Sequence, residues 1–162
     1  MSDLLTGIPM DYEPKRTNRF FAEFPDEVGI EIWKVRKFDR PKADINTVEI
    51  PWINETNYVS GKYKWNPVTI EFMDTIGPST SQQIMEWFRL HAESLTGRMG
   101  YKSGSAKNII LKSLDPTGVT VEKWTLEQCI ITNVDFGSND MGSDEIQLIT
   151  VTVQPYRCIL NV

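Results

Sequence analysis

The sequence predicts a mainly β fold: an antiparallel β-sandwich or partly open β-barrel, with one flanking α-helix at about residues 80–95 and a hairpin arm at about 40–66. Three observations carry this. Most of the chain is short segments alternating apolar and polar residues, bounded by Pro- and Gly-containing turns. A single segment, after Gly77-Pro78, changes to a helical period. Strands and helices do not alternate, which excludes a parallel βαβ plan. A length of 162 residues fits one domain, taken as residues 18–162, preceded by an N-terminal arm at 1–17.

In the arm, Gly7, Pro9 and Pro14 break regular structure, and Asp11, Glu13, Lys15 and Arg16 keep it solvated. Arg19–Phe24 reads as a strand with Phe20, Ala22 and Phe24 on one face. Ile30–Phe38 reads as a second strand whose alternation slips near Lys34. Between Pro41 and Pro67, Thr47–Ile50 is strand-like, Asn54-Glu55-Thr56-Asn57 signals a turn, and Tyr58–Trp65 is extended. Trp52, Ile53, Tyr58, Tyr63 and Trp65 are many large groups for a polar connection. They pack back on the core or on a neighbouring chain.

Val68–Asp74 alternates with Val68, Ile70 and Phe72 toward a core. Ser79-Thr80 with Gln82-Gln83 offers capping-box spacing. Ile84, Trp87, Phe88, His91 and Leu95 then form one helical stripe that Thr96-Gly97 ends. On that stripe His91 is expected to be a packed or cap-side residue. Residues 96–106 read as a flexible, solvated basic loop without phosphate-loop spacing. Asn108–Leu114, the turn Asp115-Pro116-Thr117-Gly118 and Val119–Leu126 make a hairpin. Cys129–Phe136 is a further strand, 137–144 a polar loop, and Glu145–Gln154 the last clear strand. Pro155 interrupts it before a final extended stretch, Tyr156–Leu160.

Reactive chemistry is sparse. One histidine excludes a two-imidazole site within a chain, and Cys129 and Cys158 suit small buried residues in a reducing compartment. Asp140, Asp144 and Glu145 lack calcium-loop spacing. The Asn54-Glu55-Thr56 sequon is a chance match, because residues 1–7 carry no secretory signal pattern. No apolar run approaches the ~20 residues of a membrane span. A formal net charge of −5 argues against tight nucleic-acid binding. No catalytic, metal or cofactor-binding residues are expected, and the chain is not expected to be an enzyme.

The order of elements resembles the T4-type tail tube proteins of contractile-tailed bacteriophages. The matching residues are Asn18–Phe24, Ile50-Pro51, Tyr58-Val59-Ser60-Gly61 with Trp65, Val68–Asp74, Trp87, Ile131–Asp135 and Glu145–Val153, over about residues 18–160. The resemblance implies that 40–66 is a protruding hairpin and that the chain forms hexameric rings stacked into a tube. Its partners would be itself and the tail sheath, tape-measure and baseplate proteins, with DNA as transient non-specific cargo. It implies a place in the virion tail, after assembly in the bacterial host cytoplasm, and no cofactor. Trp52, Ile53, Tyr58, Lys62 and Tyr63 become candidates for the subunit or ring interface. Glu31, Glu71 and Asp135 become candidates to face the lumen, where acidic groups repel phosphate. The alternatives are a tube or tube-initiator of another contractile injection system (secretion-system tube, bacteriocin tube, baseplate) and a monomeric β-barrel binding module.

Overall fold

Strand β1 (Phe20–Glu23) buries Ala22 completely and lays Phe20 against the core, as its alternation requires. The computed structural model describes residues 7–161, so the first part of the expected N-terminal arm, 1–6, lies outside the described residues. The expected second strand is divided. Ile32–Lys34 is a turn of 3-10 helix, and only Val35–Phe38 is a strand, β2. The slip at Lys34 has a cause: its side chain is fully buried, and its ammonium donates to the Pro78 carbonyl and to Gln83 Oε1, both at 3.1 Å. A buried cation must be hydrogen-bonded, and the tight turn aims it there.

β3 (Ala43–Trp52) and β4 (Glu55–Trp65) pair as a separate two-stranded sheet. Both are longer than the sequence suggests, and the turn falls earlier, at Ile53-Asn54 rather than 54–57. Pro51 does not stop β3. A two-stranded hairpin has edges everywhere, so a missing N–H can face water. Ile53 takes the left-handed backbone (φ 52°) that a two-residue hairpin turn demands.

β5 (Val68–Met73) alternates strictly, with Val68, Ile70 and Phe72 buried. Helix α1 (Thr80–His91) ends earlier than its stripe predicts, and Leu95 is exposed. The chain turns back on the helix end: Gly97 N–H donates to the Glu93 carbonyl and Gly100 N–H to the His91 carbonyl, at 2.8 and 2.9 Å. At its start Ser79 makes no side-chain cap. Asp74 takes that role, its Oδ1 accepting the Ser81 N–H at 3.4 Å and its Oδ2 the Ser81 hydroxyl at 2.8 Å. Residues 96–106 are mostly solvated, as expected, with 96–104 exposed. They contain a short helical turn, α2 (Lys102–Ser105), whose Ser105 carbonyl accepts the buried Trp87 indole N–H at 2.9 Å.

β6 (Lys107–Leu114) turns at Asp115, whose Oδ1 accepts from the Thr117 and Val119 amides. The two strands expected on either side of residue 127 are one, β7 (Thr120–Asp135). Gln128, at φ 51° with its N–H on Asn108 Oδ1, absorbs the irregularity between them. β8 (Leu148–Gln154) starts later than expected because Gln147 serves the preceding loop, donating to the Phe136 carbonyl. Beyond Pro155, β9 (Arg157–Asn161) continues antiparallel along β7.

The seven strands outside the hairpin join in the order β1-β6-β7-β8-β5-β2, with β9 also on β7. β7 belongs to both layers: its first part pairs β6 and β9, its second β8. The sheet stays open, with β1, β2 and β9 as edges. Ala22, Ile109, Leu111 and Leu126 share one core with Ile70, Phe72, Ile149 and Val151, and α1 adds Ile84 and Trp87. Truncating one of the larger of these side chains, such as Phe72 or Ile84, to alanine costs about 2–5 kcal/mol.

Candidate functional site

The β3–β4 hairpin presents its side chains to solvent along almost its whole length. Cross-strand register assigns its faces. One carries Ile45, Thr47, Glu49 and Pro51 opposite Tyr63, Ser60, Tyr58 and Thr56. The other carries Val48, Ile50 and Trp52 opposite Val59, Asn57 and Glu55. A bulge between them puts Gly61 and Lys62 of β4 opposite Asn46 alone. Gly61 fits because an added Cβ would meet the Asn46 carbonyl at 3.1 Å and Val48 Cγ2 at 3.2 Å.

Both faces of the arm carry exposed apolar groups: Ile45 and Tyr63 at the root with Tyr58 farther along on one face, and Val48, Val59, Ile50 and Trp52 toward the tip on the other. All five candidate interface residues lie on this arm and are exposed, with Trp52 at 72% and Ile53 at 86%. Ile45, Val48, Ile50 and Val59 join them. Their signal was the alternation Val48, Ile50, Trp52, which Pro51 interrupts in the sequence but not in space.

The arm's root is fixed by a buried carboxylate. Glu122 of β7 is 3% exposed and accepts from Lys15 of the N-terminal arm, from Arg40 just before β3, and from Trp124 Nε1. Burial alone would raise this carboxyl, but these three donors outweigh it and hold it below its ordinary value. Trp124 packs edge-on against Trp65 at the end of β4, with ring centroids 6.2 Å apart. Asn66 N–H closes the root on the Lys42 carbonyl at 2.9 Å, and Gln154 Nε2 holds the Trp65 carbonyl at 2.7 Å. A buried charge needs pairing, and here the pairing holds both ends of the hairpin and the N-terminal arm.

The candidate lumen residues divide. Lys37, Glu71, Thr150 and Asp135 form one row across β2-β5-β8-β7. The next row is Thr69, Thr152 and Asn133. Both rows lie opposite the core side chains Ile70, Phe72, Ile149 and Val151, so Glu71 and Asp135 share one polar, largely threonine-bearing face. Glu31 does not join them. It precedes the 3-10 turn and bonds the Trp33 indole N–H.

His91 locks α1 to β7. Nε2 accepts the Ile131 N–H at 3.1 Å, so Nδ1 carries the proton and donates to the Trp87 carbonyl at 3.2 Å. Burial lowers its pKa, Lys107 adds to this, and the Trp87 bond opposes it. Burial pushes the Cys129 thiol up to about 12 and the Cys158 thiol to about 11. No helix among the described residues is long and apolar enough to cross a membrane.

No protein-family model and no curated protein matches the chain. Solved structures do. A chain of the anti-feeding prophage cap (tube-terminating cap) is 16% identical, with TM-score 0.77 and 99% of each chain covered. The sheath/tube terminator of the extracellular contractile injection system PVC, in the extended state, is 15% identical, with TM-score 0.76 over 94% of this chain and 99% of that one. The PVC sheath–tube complex gives 17% identity and TM-score 0.69 over 94% of each. The chain has the fold of these contractile injection system components.

Proposed function

We propose that the chain is a structural, non-enzymatic subunit of the tube of a contractile injection machine, assembling with itself into hexameric rings that stack around a lumen. The observation that carries this is the hairpin Ala43–Trp65, whose large apolar groups nothing among the described residues covers. A two-stranded hairpin is marginal in water on its own, and identical neighbours in a ring supply the missing cover. The open sheet supports the same reading. Its edge strands β1, β2 and β9 each have one side unpaired among the described residues, and joining copies into a closed barrel would protect them. The face bearing Glu71, Asp135, Thr69, Thr150 and Thr152 then lines the lumen.

Within that class, the phage tail tube is the finer proposal. Two carboxylates against Lys37 on a threonine-rich wall suit a conduit through which DNA slides without sticking. Sheath, tape-measure and baseplate proteins are its partners, and assembly takes place in the host cytoplasm before the tail joins the virion. A tube or terminator of another injection system is the second reading, favoured by the assemblies named in the structural matches. Electron microscopy of the purified chain tests the class: rings or tubes with a lumen are expected, and a monomer at high concentration overturns it. Nuclease-protected DNA in tails containing the chain separates the phage reading from the second.

A further inference from the structure

One groove inverts the charge balance of the chain. It lies where the N-terminal arm meets the edge strands β1 and β2. A cavity of about 160 Å³ there has Phe20, Phe38 and Leu111 as its floor and Lys15, Arg16 and Arg40 around its rim. A second hollow continues it, sharing Phe38 and Arg40 and reaching Lys42 and Trp124. Against these four cations stand two carboxylates: Asp39, which lines the second hollow, and Glu122, which accepts from Lys15 and Arg40. The whole chain has 17 cations and 22 carboxylates, so the local excess of positive charge runs against its composition.

Glu122 holds two of the four cations in place. It takes one donor each from Lys15 and Arg40, which leaves the ammonium and the guanidinium their other donors. Both side chains remain more than half exposed. Arg16 and Lys42 are exposed and form no ion pair among the described residues. The cavity holds about five waters' worth of liquid volume, which is the scale of one leucine or phenylalanine side chain. A cationic rim over an apolar floor recognises two things together: carboxylates, and one apolar side chain between them. A nucleic-acid backbone would satisfy the rim and leave the floor unused.

We propose that this groove is a docking site for an extended acidic peptide of a partner protein. The peptide's carboxylates meet Arg16, Arg40 and Lys42, and one leucine- or phenylalanine-sized side chain between them enters the cavity over Phe20 and Phe38. The apolar contact supplies most of the affinity, and the cations orient the segment and speed its arrival. The site uses none of the residues of the β3–β4 hairpin and does not rest on the self-assembly reading above.

Fluorescence anisotropy tests it with a labelled pentapeptide, a central leucine flanked by two aspartates on each side, titrated with the whole purified chain. Saturable binding in dilute buffer is expected, weakening as salt is added. The same peptide with glycine at its centre should bind about tenfold more weakly, because the buried side chain is gone. Arg16→Glu should weaken binding of the leucine peptide about fivefold. Circular dichroism should show that variant folding like wild type, since the position is exposed. Absence of saturable binding overturns the proposal, as does equal affinity for the glycine peptide or an Arg16→Glu chain that binds like wild type. A single-stranded oligonucleotide that binds more tightly than the peptide overturns the choice of a peptide. Sedimentation velocity reads the remaining occupant: self-association that Arg16→Glu abolishes places a second copy in the groove and overturns the assignment to a partner protein.

Discussion

Glu122→Gln isolates the electrostatic part of the arm's anchorage. Glutamine keeps nearly the same shape and one oxygen for Trp124 Nε1, but loses the charge that Lys15 and Arg40 share. Hydrogen bonds to charged groups are worth about 1.5–3 kcal/mol when sheltered. The Lys15 and Arg40 side chains are 56% and 63% exposed, which moves each pair toward the 0.2–1 kcal/mol of surface ion pairs. Relief of the carboxylate's desolvation offsets part of the loss. The net effect is about 1 kcal/mol, and for a chain of this size that lowers Tm by about 2–4 °C. Locally the consequence is larger in kind than in heat: opening at the root becomes about fivefold more frequent. Amide hydrogen exchange at Asn66, whose N–H closes the root on Lys42, reads this directly. Asn66 should exchange several-fold faster in the variant through local opening, while Val151, in the central strand β8, exchanges through global unfolding and should report only the loss of about 1 kcal/mol in overall stability. An unchanged Asn66 rate with an intact fold refutes the role given to Glu122.

Three other outcomes are expected. Native His91 has a pKa below the ordinary 6.5, so the unfolded chain binds a proton that the native chain lacks as pH falls below 6.5. Stability from this residue is therefore full above that value and lost as pH falls through the native pKa, and urea midpoints at pH 7.5 and 5 should show a loss that His91→Gln lacks. Gly100→Ala should destabilise by about 2–3 kcal/mol through overpacking, since its Cβ would sit 2.0 Å from the Leu90 carbonyl oxygen; Gly104→Ala, with nothing within 4 Å, should not, as thermal melts of the pair will show. With thiol pKa values near 12 and 11, Cys129 and Cys158 should resist a thiol reagent at pH 8 in the native chain and react in denaturant.

The strands legible in the sequence were those with one wet and one dry face. Val68–Met73 and β6 show that alternation, and their core residues are the expected ones. Where a single polar group governed the backbone, the pattern misled. Lys34 bends an expected strand into a 3-10 turn because its ammonium must reach two acceptors inside. Residues 96–106 read as loop by composition, yet Trp87 needs the Ser105 carbonyl and Gly100 permits the close packing that delivers it. On the arm, the five expected residues were all exposed, but the faces of Tyr58 and Tyr63 relative to each other depend on the bulge at Gly61 and Lys62, which has no mark in a periodicity count. Of the three carboxylates, Glu71 and Asp135 met in one row through Thr150. Glu31 did not, because only the later half of its expected strand forms and Glu31 precedes the 3-10 turn.

β7 runs through both layers as an unbroken backbone. A pull along it is therefore carried from one layer to the other by covalent bonds rather than by side-chain contact. Its ladders with β6, β8 and β9 lie across that direction, so they are loaded in shear and must give way together rather than peel one at a time. That arrangement keeps the two layers moving as one solid piece.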